Sequence, residues 1–78
     1  MNKKQKKELD EIVMKLDGAL LHLDMVIADE DYKLGNIPDN LQNSEMYEKI
    51  ENAYDKLNDA KDMIMDGKEM IEELNETC

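Results

Sequence analysis

From Met46 to Leu74 the apolar and small residues of this chain recur at alternating intervals of four and three: Met46, Ile50, Ala53, Leu57, Ala60, Ile64, Gly67, Ile71 and Leu74. That alternation brackets the 3.6-residue turn of an α-helix, so it holds one stripe against a partner helix along the whole segment. One row of the stripe is Ile50, Leu57, Ile64 and Ile71. The other row is small in the middle, with Ala53, Ala60 and Gly67, and large at its ends, with Met46 and Leu74. Small residues admit a neighbouring backbone while the large ones fill the space beside it. Tyr47, Tyr54, Met63 and Met70 flank the seam and widen the apolar face enough to meet more than one helix. Ser44 is a good N-cap, with Glu45 and Glu48 in the first turn complementing the helix dipole. The pattern predicts a helix from about 45 to 75.

An earlier helix is predicted from about 3 to 33. Its main stripe is Leu9, Ile12, Val13, Leu16, Ala19, Leu20, Leu23, Val26 and Ile27, which fall within one arc at 100° per residue. A second set lies on roughly the opposite side: Met14, Gly18, Leu21, Met25, Ala28 and Tyr32. A helix that is apolar on two sides needs two partners. One is the second helix of the same chain, and the other is expected to be another subunit.

Residues 34 to 43 form the connector. Gly35 can take the left-handed conformation that ends a helix. Pro38 cannot continue the hydrogen-bond ladder, pushes Ile37 into extended geometry, and is suited to opening a short turn. Ile37 and Leu41 are apolar in a polar loop and are expected to fold back over the end of the core. Two helices of matching length joined in this way give an antiparallel hairpin. The four lysines at positions 3, 4, 6 and 7 then lie beside Glu69, Glu72, Glu73 and Glu76 at the other chain end. The expected fold is therefore all-α, one antiparallel two-helix hairpin domain spanning residues 1–78. It is expected to self-associate, most simply as a dimeric four-helix bundle, through Met14, Leu21, Met25, Tyr32, Tyr47, Tyr54, Met63 and Met70.

Size sharpens the case for self-association. A chain of 78 residues supplies only a few kcal/mol from a single core unless something staples it. The one cysteine, Cys78, precludes an intrachain disulfide and reads as an exposed thiol without function, and no Cys/His cluster suggests a zinc site. Seven methionines and three tyrosines, with no Phe or Trp, suit an adaptable apolar surface.

The formal charge is −10, from ten lysines against twenty acids, with no arginine to offer a bidentate phosphate fork. Such a surface repels nucleic acid and anionic membrane and suits a basic protein partner, as well as keeping the chain soluble. The lysine-rich start is not followed by an apolar run with a cleavage site, and no run approaches the roughly 20 residues of a membrane span. A cytoplasmic location is the expectation.

Candidate chemistry is sparse. Asp29, Glu30 and Asp31 precede Gly35, but a calcium loop needs an oxygen ligand where Lys33 stands and its glycine one place earlier. His22 lacks the Glu-x-x-His pattern of di-iron bundles, because Ala19 occupies the acid's place. No nucleophile–base pair, phosphate loop or paired carboxylates stand out, so neither an enzyme nor a cofactor is expected. The connector is longer than a hairpin needs. Asn36, Pro38, Asn40, Gln42 and Ser44 are its candidate binding residues, set against a reading of the same loop as an ordered cap.

The segment Asn36-Ile37-Pro38-Asp39-Asn40-Leu41-Gln42-Asn43-Ser44-Glu45, between two acidic helices, resembles a group of small uncharacterised proteins from bacteriophages and mobile elements of Gram-positive bacteria. Those carry an Asn-Leu-Pro-Glu-Asn-Leu-Gln-like turn, from which Ile37 and Asp39 depart conservatively. The resemblance implies a phage or prophage context, in which small acidic proteins often inhibit host systems. Three functions are weighed from these observations: a non-enzymatic interaction protein that binds a basic host protein, including as a nucleic-acid mimic; a structural part that only self-associates; and an oligomer that sequesters a nucleotide near the connector.

Overall fold

The computed structural model describes residues 1–77, so Cys78 lies outside the described residues. Two α-helices of equal length, α1 (Lys3–Gly35) and α2 (Glu45–Thr77), lie antiparallel and are joined through a short 3-10 turn at Asp39–Leu41. The two helices pack along their length into a rod of 59 × 15 × 13 Å. No described helix is long and apolar enough to cross a membrane.

Each helix end has a local cause. α1 opens with a capping box: the Asn2 carboxamide accepts from the Gln5 backbone N–H at 2.8 Å, and the Gln5 side chain accepts from the Asn2 N–H at 3.1 Å. At its other end Gly35 does not turn left-handed; no described residue has positive φ of that kind. Asn36 closes the helix instead. Its Nδ2 donates to the Tyr32 carbonyl at 2.7 Å, and its backbone N–H donates to the Lys33 carbonyl. These bonds satisfy the terminal carbonyls that a glycine turn would otherwise serve. Ser44 caps α2 as its sequence suggests, accepting from the Tyr47 N–H through its hydroxyl at 3.2 Å.

Ile37 folds under the hairpin end and is one of two buried apolar residues among those described, the other being Ile27. Leu41, its expected companion, stays largely exposed, because the 3-10 turn that follows Pro38 carries it outward.

The seam between the helices uses part of each predicted stripe. On α1, Leu9, Val13, Leu16, Leu20, Leu23, Ile27 and Leu34 are half-buried or buried. On α2 the row Ile50, Leu57, Ile64 and Ile71 faces inward as expected. Its companion row is covered only in part. Ala53 and Gly67 are half-buried, as are Tyr47, Tyr54, Lys61, Lys68 and Asn75 on the other flank, while Met46, Ala60 and Leu74 are exposed. The reason is geometric and electrostatic. Lysine lays its methylene stem along the seam and keeps its ammonium at the rim, where acids of α1 wait for it. The small row turns to one side.

Candidate functional site

Around the rod the hairpin has two edges and two outer faces. The first edge is polar. Asp10, Asp17 and Asp24 recur every seven residues on α1, and Asn75, Lys68 and Lys61 recur every seven residues on α2. The antiparallel register brings them together as a ladder. Lys61 Nζ donates to Asp24 at 2.6 Å, Lys68 Nζ donates to Asp17 at 2.5 Å, and Asn75 Nδ2 donates to Asp10. Both ammonium groups titrate above the ordinary lysine value. The hydrogen bond to the aspartate is the largest cause, desolvation opposes it, and the carboxylate's Coulomb attraction adds to it. The sequence signal for the ladder is the seven-residue recurrence of aspartates on α1, which the apolar periodicity does not reveal.

Two grooves open along this edge. One of about 350 Å³ is lined by Asp10, Val13, Met14, Glu72, Asn75 and Glu76. Another of about 450 Å³ is lined by Leu20, Asp24, Lys61, Met65, Lys68, Glu69 and Glu72. Carboxylates outnumber cations in both, which opposes an anionic nucleotide. Among the described residues no three His, Cys, Asp or Glu side chains converge as metal ligands.

The opposite edge is apolar. Ile12, Ala19 and Val26 of α1 lie one helical position beyond the seam on the side away from the ladder, and the small row of α2 lies on the same side. Ile12 and Val26 are each 41% exposed.

The outer face of α1 carries the second predicted stripe. Met14, Leu21, Met25 and Tyr32 all stand exposed there, as a stripe opposite the seam must. Of the remaining residues expected to mediate self-association, Met63 and Met70 are exposed on α2. Tyr47 and Tyr54 are not free: they are half-buried in the hairpin's own seam. His22 is exposed on α1. Glu30 is engaged by Lys33 at 2.8 Å in a pair local to the helix end.

The outer face of α2 is a row of acids. Glu48, Asp55, Asp59, Asp62, Asp66, Glu69, Glu73 and Glu76 are all exposed. None of them enters an ion pair among the described residues. From Asp59 to Glu76 they follow one another at alternating intervals of three and four, so a charge recurs about every 5 Å along the rod.

The connector uses most of its polar groups internally. Asn36 caps α1, Ser44 caps α2, and Gln42 Nε2 donates to Asp39 at 3.1 Å. Of the candidate binding residues there, Asn40 and Pro38 remain exposed without a side-chain hydrogen bond. This arrangement fits an ordered cap better than a set of groups held free for a ligand.

Comparison with known proteins adds no relative: no protein-family model, no curated protein and no solved structure matches this chain.

Proposed function

We propose that this chain is a non-enzymatic interaction protein whose outer α2 face binds a basic protein partner. The observation that carries the reading is the row of eight exposed acids on one side of α2, unpaired among the described residues. Like charges so close repel one another and weaken the helix that bears them. A cationic partner relieves that repulsion, so the row gains more from a basic surface than from water. Its regular step, near 5 Å, is of the same order as the ~3.4 Å axial step of phosphates along one DNA strand. That similarity supports the narrower reading, in which the rod occupies a nucleic-acid-binding site of its partner. The phage or prophage setting implied by the connector belongs to the same proposal and rests on the resemblance alone.

The test is capture from a Gram-positive bacterial lysate on immobilised full-length chain, at low and high salt, read by mass spectrometry. The expected result is one stoichiometric basic protein that is lost at high salt and displaced by added duplex DNA. A variant with Asp59, Asp62, Asp66 and Glu69 converted to their amides should capture at least tenfold less. Capture that is insensitive to salt, or undiminished in the amide variant, would refute the acidic face as the binding surface.

A further inference from the structure

We infer that the apolar edge of the hairpin is where a second copy of this chain docks, in the antiparallel sense, to complete a four-helix bundle. The inference does not depend on the proposed partner.

The chain exposes 6120 Å². A compact monomer of 9.1 kDa exposes about 4,900 Å². The excess is about 1,200 Å², and a standard dimer interface covers about 800 Å² per partner. The hairpin thus shows more surface than a folded chain of its mass normally leaves in water, by more than a standard interface covers but within the reach of an obligate dimer interface, about 1,000 Å² or more per partner.

Most seam residues are only half-buried, and Ile27 is the one buried residue within either helix. A copy seated on the outer stripe of α1 would leave those seam residues as they are. A copy seated on the apolar edge would cover Ile12, Val26 and Leu74 and close the open side of the seam. The polar edge is excluded by its Asp–Lys ladder, and the outer face of α2 by its charge. The middle of the apolar edge also has room. Ala19, Ala60 and Gly67 stand there at nearby levels of the rod, and a β-carbon built on Gly67 meets no atom within 4 Å. Nothing in the single hairpin requires that residue to be so small.

Charge sets the orientation. The connector end of the rod is acidic, with Asp29, Glu30, Asp31, Asp39, Glu45 and Glu48 against Lys33 and Lys49, whereas at the other end Lys3, Lys4, Lys6 and Lys7 offset Glu69, Glu72, Glu73 and Glu76. Copies aligned in parallel would bring two acidic connector ends together. Copies aligned antiparallel place the acidic connector end of each beside the other's terminal end, where lysines balance the acids.

Sedimentation equilibrium of the full chain under reducing conditions, from 10 to 100 µM protein as about the working range, tests the inference. Reduction removes any dimer linked through Cys78. The wild-type chain should sediment at about twice its 9.1 kDa mass. Ala60→Glu, which puts a charge on the edge at a position already exposed in the hairpin, should raise the dimer dissociation constant at least tenfold. Leu21→Glu, on the outer stripe of α1, should leave it unchanged. A wild-type monomer overturns the inference irrespective of how the variants fold, and so does any pattern in which Leu21→Glu dissociates the dimer as strongly as Ala60→Glu. Spin labels at Asn40→Cys in a Cys78→Ser background report the orientation. A separation beyond about 40 Å is expected for antiparallel copies of helices this long, and one under about 25 Å would overturn that arrangement.

Discussion

Gly18 and Gly67 offer a matched pair of perturbations. Both lie inside long helices, neither has positive φ, and an added β-carbon meets no atom within 4 Å at either site. Glycine in a helix interior costs about 0.8–1.0 kcal/mol relative to alanine, mainly through backbone entropy. In an isolated hairpin Gly18→Ala and Gly67→Ala should therefore stabilise equally, each raising the melting temperature by about 4–8 °C for a domain of this size. The two sites differ in where they point. Gly18 is on the outer face of α1, and Gly67 is on the apolar edge. If a second copy closes over that edge, the new methyl group enters a close contact, and overpacking costs about 1–3 kcal/mol. The expected outcome is a full gain for Gly18→Ala and a cancelled or reversed gain for Gly67→Ala. Urea denaturation at one high and one low protein concentration measures both, and the deficit at Gly67 should shrink on dilution as the dimer dissociates. Equal gains at both sites, agreeing within about 0.3 kcal/mol at every concentration, would refute the reasoning.

Three further outcomes follow from the hairpin itself. Ile27→Ala removes the one buried apolar side chain inside a helix and should cost about 2–3 kcal/mol by urea denaturation. In a chain of this size that is enough to leave much of it unfolded. Ser44→Ala removes the α2 cap and should cost about 1 kcal/mol, with helicity by circular dichroism lost first near residue 45 in amide-exchange maps. The lysines of the ladder have folded pKa values raised above 10.5, so their contribution is complete below that value and is lost as pH rises through the folded values. Melting temperatures from pH 8 to 12, taken as a rough window around the lysine range, should fall more steeply for wild type than for a Lys61→Met, Lys68→Met double variant. Parallel curves would show that the ladder does not couple to stability.

The helices were legible because long periodic segments leave few alternatives. The row Ile50, Leu57, Ile64 and Ile71 recurs every seven residues, and only a helix keeps it on one side. The ends at Asn36 and Asn2 were less legible. An amide side chain can cap a helix or face solvent, and composition alone does not decide which. The seam was half legible for a related reason. Periodicity says which residues share a face, but Met46, Ala53, Ala60, Gly67 and Leu74 share one with Ile50 and Ile64 just as Tyr47, Tyr54, Lys61 and Lys68 do. The choice between the two flanks belongs to the other helix, whose aspartates at positions 10, 17 and 24 select the lysines. The exposed stripe of Met14, Leu21, Met25 and Tyr32 was readable from one helix alone, because it lies opposite the seam whichever flank wins. The acidic row on α2 enters the net charge, but its continuity depends on the seam, which fixes which way each carboxylate points.

The Asp–Lys ladder leaves one matter undetermined. Its rungs are spaced seven residues apart on both helices, and Asp31 continues the aspartate column one step beyond the last rung. Sliding α2 by one heptad would set Lys61 opposite Asp31, Lys68 opposite Asp24 and Asn75 opposite Asp17, with every rung remade. The ladder therefore cannot tell the observed register from its neighbour. What distinguishes them is the turn. With α1 closed at Asn36, Ile37 tucked under the end and Ser44 opening α2, the chain between the helices has no slack for a shift of seven residues, about 10 Å. The helices supply the affinity and the connector supplies the alignment. Cut at Asn40, the same two helices would remain complementary yet have two nearly equivalent ways to meet.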